Sequence, residues 1–284
     1  MFGFLNVYKP KGKTSHDVVA ILRRLTKVKQ IGHTGTLDPF AEGVLPVCIG
    51  KATRLIEYLA DDKSYVGTVK FGVTTSTYDT EGEVVKTSDN KISCEDLESV
   101  LDKFRGEIEQ VPPIYSAIKV NGKKLYEYAR KGEEVKIESR RVTIFKLDLL
   151  GFDYENQTAE LYIECSKGTY IRSIANDLGE VLGVGGHLIK LVRVKAGDFV
   201  LEHSVGLEDL KDSQDVEKYL KSPIEYLNYP KYEINDDEKS KVSNGVSVCV
   251  EGLPDGVAVL TYYNEVAAVV NVSDGVAKTL KVFV

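Results

Sequence analysis

The stretch GHTGTLDPFAEGVLPVCIGKATRL, Gly32 to Leu55, decides how this chain is read. Its glycines at positions 32, 35, 43 and 50 permit a close backbone approach or a positive φ, which an active-site loop often needs. Neither GxxxxGK[ST] nor GxGxxG occurs in it, so the pattern does not indicate a phosphate cradle for a nucleotide cofactor. Asp38 followed by Pro39 has an ordinary explanation, a capping carboxylate and a residue preset for the first helical turn. On pattern alone Asp38 reads as a helix cap ahead of a reacting group.

On the N-terminal side, Phe2 to Tyr8 is an apolar run suited to a buried strand, and KPKGKTS is a basic turn. Ser15 suits an N-cap for a helix whose apolar face is Val18, Ile21, Leu22, Leu25 and Val28. On the C-terminal side a helix is expected from Ala52 to Ala60, then a strand through Tyr65, Gly67, Val69 and Phe71. Ser93 with Asp96 resembles a capping arrangement for a helix carrying Leu97, Val100, Leu101 and Phe104. Asn121-Gly122 marks a tight turn, and a short helix through Leu125, Tyr128 and Ala129 stops near Gly132. Residues 141–150 and 159–165 alternate like paired strands, and a helix spans 169–182. Strands and helices without a regular βαβ period imply an α+β fold. A boundary is expected at 222–231, where SPIEYLNYP leads into a last segment of short strands.

The chain has 284 residues, enough for one large domain and a small one, and a net charge of −6. A negative chain is an unusual polyanion binder. The charge is unevenly spread, however. Residues 1–30 hold seven Lys/Arg against one Asp, residues 119–146 hold nine against four Glu, and residues 201–284 hold eight against fifteen Asp/Glu. A cationic face with an acidic remainder is compatible with RNA binding. The four cysteines are far apart, with no CxxC pair and no histidine at zinc-ligand spacing, so buried or partly buried thiols and no metal are expected. No eighteen-residue apolar run or signal-peptide order is present, which reads as a soluble cytoplasmic protein with no membrane segment.

The motifs taken together resemble the TruB-type tRNA pseudouridine-55 synthases. HTGTLDPFAEGVLP with GKATR is similar to that family's catalytic stretch, and KPKGKTSHDVV (Lys9–Val19) to its N-terminal motif. DKSYVGTVKFG (Asp62–Gly72), VPPIYSAIKVNGKKLYEYARKG (Val111–Gly132) and SKGTYIRSIANDLG (Ser166–Gly179) are similar to three later blocks. A lone LDP would carry little; five blocks in order over about the first 200 residues reverse the reading of Asp38.

The resemblance implies a pseudouridine-synthase catalytic domain over residues 1–225, built on a mixed, mostly antiparallel sheet with flanking helices and an insertion around 105–145. It also implies a small β-rich PUA-like domain over 231–284, although that segment is acidic and carries few motifs. The implied reaction converts a uridine in the T loop of tRNA (position 55) to pseudouridine: the C1′–N1 bond breaks, uracil turns and C5 joins C1′, with no cofactor. Asp38 matches the nucleophile, Arg172 the arginine that pairs with it, here expected to fork both carboxylate oxygens. Tyr65 matches the tyrosine that stacks on the base and is placed to move a proton. His33 matches a histidine associated with base flipping, which costs stacking energy that the pocket must offset. Tyr170 and Leu191 are expected to pack in the pocket, and Arg54 and Lys9 to meet phosphate. The expected partner is the tRNA T arm, gripped by the basic residues of 119–146, and the chain is expected to be monomeric. Two other readings are an RNA-binding or remodelling protein with secondary or no catalysis, and an Asp-dependent glycosidase-like hydrolase, which needs a second carboxylate; Glu42 is the nearest acid, and no motif ties it to that role.

Overall fold

The computed structural model describes all residues, 1–284. Along the chain the elements are β1 (Gly3–Lys9), α1 (Ser15–Thr26), β2 (Ile31–His33), β3 (Glu42–Ile49), β4 (Lys63–Phe71), β5 (Val73–Thr75) and β6 (Val84–Thr87). Next come α2 (Cys94–Leu101), β7 (Gly106–Gln110), the hairpin β8 (Lys119–Val120) and β9 (Lys123–Lys124), and α3 (Leu125–Lys131). The long pair β10 (Arg140–Asp153) and β11 (Thr158–Cys165) follows, then α4 (Ile171–Val181), β12 (Gly186–Ala196), β13 (Phe199–Val200), β14 (Val205–Gly206) and α5 (Ser213–Tyr219). The last elements are β15 (Lys231–Glu233), α6 (Asp236–Ser243), β16 (Val248–Cys249), β17 (Gly256–Tyr262), β18 (Glu265–Ser273) and β19 (Val276–Val282).

One large sheet runs β14-β1-β3-β12-β4-β11-β10-β7, with β2 on β3 and β13 on β12. Its pairings are antiparallel except β1–β14 and β3–β12. The fold is therefore α+β with a mostly antiparallel sheet, as the missing βαβ period implied. Residues 231–282 form a second sheet, β15-β17-β18-β19-β16. No helix is long and apolar enough to cross a membrane.

Local signals account for many of these elements. The α2 N-terminus is a capping box of Ser93 and Asp96. At α1 the cap is Thr14, whose box partner is Asp17, and not Ser15, which is buried and exchanges hydrogen bonds with the Leu37 backbone. Asn121 and Gly122 both have positive φ, as a two-residue hairpin turn requires. The expected helix at 52–60 is instead 3-10 over Gly50–Tyr58, with Ala52 and Leu55 buried.

Two central strands have no counterpart in the local patterns. β3 and β12 both lie inside the large sheet, and β3 is buried at seven of its eight positions, so the alternation that marks a half-exposed strand is absent. Gly43 has φ 108°, and a Cβ there would meet the Arg193 carbonyl oxygen at 2.3 Å, so the close β3–β12 pairing requires glycine.

The sheet separates three apolar clusters. One packs Leu97, Leu101, Ile174 and Leu178 of α2 and α4 against β4, β10, β11 and β12. A second joins α1 through Val18 and Leu22 to β1 and β3. The third lies between the two sheets, where Phe4, Leu55 and Phe199 meet Val259, Val269 and Phe283. Residues 222–230 pack into this junction, with Phe199 stacked on Tyr226 at 4.2 Å. Each fully buried Leu or Phe contributes about 1.5–3 kcal/mol, so the C-terminal sheet is fastened along its apolar seam. Cys48 and Cys165 are buried and Cys94 partly so; Cys249 is exposed, because it lies on the short edge strand β16.

Candidate active site

Asp38 caps no helix. Residues 38–41 form a turn closed by the Ala41 N–H donating to the Asp38 carbonyl at 3.2 Å, and the chain then enters β3. The carboxylate reaches a cleft of about 340 Å³, within the range of small-ligand sites. The cleft is bounded by Gly35 and Asp38, by Lys63 and Tyr65 from β4, by Leu191 from β12, and by Tyr170 and Arg172 at the start of α4.

Arg172 is buried, and its Nε lies 2.9 Å from Oδ2 of Asp38, off the N–H axis, so the contact is an ion pair. The rest of its guanidinium goes elsewhere, which corrects the expected two-oxygen fork on Asp38. Nη1 lies 3.4 Å from Oδ2 of Asp79 and donates to the Thr77 carbonyl at 3.0 Å, while Nη2 donates to the Tyr115 carbonyl at 3.1 Å. A cation in the first turn of a helix is opposed by the helix dipole; two carboxylates and two carbonyls compensate it. Asp79 is 2% exposed and is fixed by the Thr77 hydroxyl and by the Glu81 N–H at 2.9 Å. Sequence reading missed it, since an acid in a turn (TYDTEG) is ordinary and its partner lies far along the chain.

A third of the Asp38 side chain remains open. Burial pushes its carboxyl above the usual range, Arg172 pulls it back down, and Asp79 pushes it up. Tyr65 is buried beside it, and burial pushes its phenol up to about 12, with Arg193 acting in the opposite sense. The phenol is therefore neutral and protonated at physiological pH. Tyr170 and Leu191 also border the cleft.

His33 is one step removed, half-buried in β2 with its ring edge-to-face on His16 at 5.6 Å. Burial lowers its pKa to about 4, with His16 and Arg193 adding to the effect. The two residues expected at phosphate have other partners. Lys9 is fully buried, and its Nζ donates to the carbonyls of Pro10 (3.0 Å), Lys13 (2.6 Å) and Pro39 (3.5 Å), tying the N-terminal turn to the residue after Asp38. Burial lowers its pKa to about 8, with Asp38 raising it. Arg54 donates to the Val282 carbonyl at 2.9 Å and lies over the Phe283 ring at 5.2 Å, at the seam between the sheets. Glu42, at the head of β3, forms no ion pair, and its carboxylate raises the pKa of Tyr8 after burial. No group of three or more His, Cys, Asp or Glu converges as metal ligands would.

The insertion reaches the same cleft. Ser116 and Ala117 line it, and Tyr126 and Tyr128 of α3 carry cations on their rings: Lys124 and Arg130 on Tyr126 at 5.4 Å, and Lys123 on Tyr128 at 5.5 Å.

Comparison with known proteins gives the fold and the family. The chain of a Cbf5-Nop10-Gar1 complex superposes with a TM-score of 0.74 at 25% identity, covering 100% of this chain and 85% of that one. The chain of an H/ACA RNP bound to a substrate RNA containing 2′-deoxyuridine gives a TM-score of 0.74 at 24% identity, with the same coverage. The fold is that of the pseudouridine synthases. The family model "TruB family pseudouridylate synthase (N terminal domain)" matches residues 23–171, and "tRNA pseudouridylate synthase B C-terminal domain" matches 172–228. The chain belongs to the TruB family of pseudouridylate synthases. It is 44% identical to tRNA pseudouridine synthase B of Geobacillus thermodenitrificans (strain NG80-2) over 100% of both chains. Against the protein of that name from Caldanaerobacter subterraneus subsp. tengcongensis the identity is 46%, over 86% of this chain and 85% of that protein.

Proposed function

We propose that this chain isomerises a uridine in the T loop of tRNA to pseudouridine, with Asp38 as nucleophile. The observation that carries the reading is the Asp38 carboxylate, partly open at the cleft and held 2.9 Å from the buried Arg172. An ionised carboxylate with one fixed face and one free face is what attack on a sugar carbon needs. Arg172 holds its direction and Asp79 holds Arg172. Tyr65 offers a neutral ring face and hydroxyl to the flipped base, with Leu191 and Tyr170 as further walls. The base leaves its stack more cheaply from a loop than from a duplex. The hairpin and helix of the insertion, with Lys123, Lys124, Arg130 and Lys131, grip flanking phosphates, and His33 supports the flipped geometry from behind the loop. Residues 1–225 form the catalytic unit and 231–284 a PUA-like unit; the protein works as a monomer in the cytoplasm and needs no added cofactor.

Asp38→Asn tests the reading. The amide keeps the volume of the carboxylate and cannot form a covalent bond to the sugar. The variant is expected to keep its melting temperature and its tRNA affinity while losing single-turnover pseudouridine formation. Turnover near wild type would remove Asp38 from the mechanism.

A further inference from the structure

Two cations lie at the cleft, Lys63 in its lining and Arg193 buried behind it against the Gly35–Thr36 backbone, and neither has a carboxylate within ion-pair distance. Arg193 is fully buried in β12, directly opposite Tyr65 in the β4 register. All its partners are neutral: Nε donates to the Val44 carbonyl at 2.7 Å, Nη1 to Thr36 at 3.3 Å and Nη2 to Gly35 at 3.2 Å. Lys63 lies two residues before Tyr65 on the same face of β4 and lines the cleft, its Nζ donating only to the Asp61 carbonyl at 2.8 Å. The neighbouring acids are engaged elsewhere, Asp61 with Lys167 at 2.6 Å and Asp62 with Lys195 at 2.8 Å. Both cations converge on Gly35: a Cβ there would stand 3.3 Å from Cε of Lys63 and 3.9 Å from both its Nζ and Nη1 of Arg193. Burial lowers the Lys63 pKa and Arg193 lowers it further, while Asp61 and Asp62, each paired to another lysine, offset this only in part.

Burying charge without an opposite charge is unfavourable, and carbonyl dipoles offset it only in part. An anion formed during turnover would complete the offset. On the reading above, which this inference rests on, such an anion arises: when C1′–N1 breaks, the bonding pair leaves with the base, giving uracilate with its charge spread over N1, O2 and O4. The pair returns when C5 bonds to C1′ and displaces Asp38; the C5 proton is then lost and N1 is protonated, so atoms and electrons balance. This charge forms whichever nucleophile meets C1′ first.

We infer that Lys63 and Arg193 form a cationic wall that stabilises the detached uracil anion, Lys63 facing the base and Arg193 positioning the Gly35–Thr36 backbone and Tyr65 around it. Preorganised charge aimed where charge develops acts on the transition state and leaves ground-state binding nearly unchanged.

The test compares tRNA carrying uridine or 5-fluorouridine at the target position. Fluorine makes the departing base a more stable anion, so its departure depends less on the protein. Single-turnover formation of the C-glycoside and tRNA affinity at several salt concentrations are measured for wild type, Lys63→Gln, Lys63→Arg, Arg193→Lys and Asp38→Asn. Lys63→Gln is expected to slow uridine roughly a hundredfold, the effect of losing one such charge-stabilising group, and 5-fluorouridine roughly tenfold or less. Lys63→Arg should recover most of the rate, and Arg193→Lys, if folded, should show the same substrate difference in milder form. Equal slowing of the two substrates by Lys63→Gln would overturn the inference, as would a loss confined to affinity with a shallower salt slope, which marks a phosphate contact. Asp38→Asn separates the two levels. If it is inactive on both substrates, a failed Lys63 comparison refutes the cationic wall alone; if it turns over, the Asp38 reading falls, and the Lys63 comparison still decides the wall, because the anion forms with any nucleophile.

Discussion

Replacing Arg172 by Met leaves Asp79 2% exposed and without its cation. Removing one partner of a buried ion pair costs about 3–5 kcal/mol, and Asp38, still partly solvated, adds little. At about 2–4 °C per kcal/mol for a domain of this size, the melting temperature should fall by roughly 6–20 °C. Adding Asp79→Asn removes the stranded charge, while the amide oxygen still accepts from the Thr77 hydroxyl and the Glu81 N–H. The double variant should therefore recover much of the loss, a coupling of about 2–3 kcal/mol in a double-mutant cycle completed by Asp79→Asn alone. Turnover should not return with stability, because Asp38 remains unoriented in both Met variants. Denaturant melts give the stability of the four proteins and single-turnover assays their activity. An Arg172→Met protein melting within a degree of wild type would refute the buried Asp79 pairing. A double variant regaining turnover along with stability would show that Arg172 acts on the fold and not on Asp38.

Neutralising Lys123, Lys124, Arg130 and Lys131 should weaken tRNA affinity and lower the slope of log affinity against log salt by about 0.7–0.9 per lost phosphate contact, with catalysis on bound RNA little changed; an unaltered slope would remove α3 from the RNA surface. His33, held neutral with a pKa of about 4 against 6.5 in the unfolded chain, contributes stability that is fully present above pH 6.5 and lost as pH falls toward 4, up to ~3 kcal/mol. Urea midpoints between pH 7 and 4.5 should therefore fall less steeply for His33→Gln than for wild type, and parallel curves would contradict its burial as a neutral ring. Arg54→Ala should cost about 1 kcal/mol through its exposed contacts with Val282 and Phe283 and leave tRNA affinity unchanged; a loss of affinity at constant stability would return Arg54 to the RNA surface.

Features whose causes lie within a few residues were legible in the chain by itself. The Ser93–Asp96 box, the Asn121-Gly122 turn, the Gly132 stop, the β10–β11 alternation and α4 follow from capping chemistry, backbone conformation and periodicity. The ordered motif blocks brought Asp38, Tyr65, Tyr170 and Arg172 together, and these four border one cleft with Leu191, which lies beyond the blocks. What tertiary structure decided depends on partners far away along the chain. β3, buried at nearly every position, shows no alternation, and its parallel pairing with β12 is fixed by contacts such as Arg193 with Val44, 149 residues apart. Arg172 divides its donors between Asp38, Asp79 and carbonyls up to 95 residues distant, so its pairing could not be read from spacing. The same holds for Arg54 and Lys9, whose basic side chains suggested phosphate and whose positions gave them backbone carbonyls. A side chain's type limits what it can bind; the burial and neighbours supplied by the whole fold determine what it does bind.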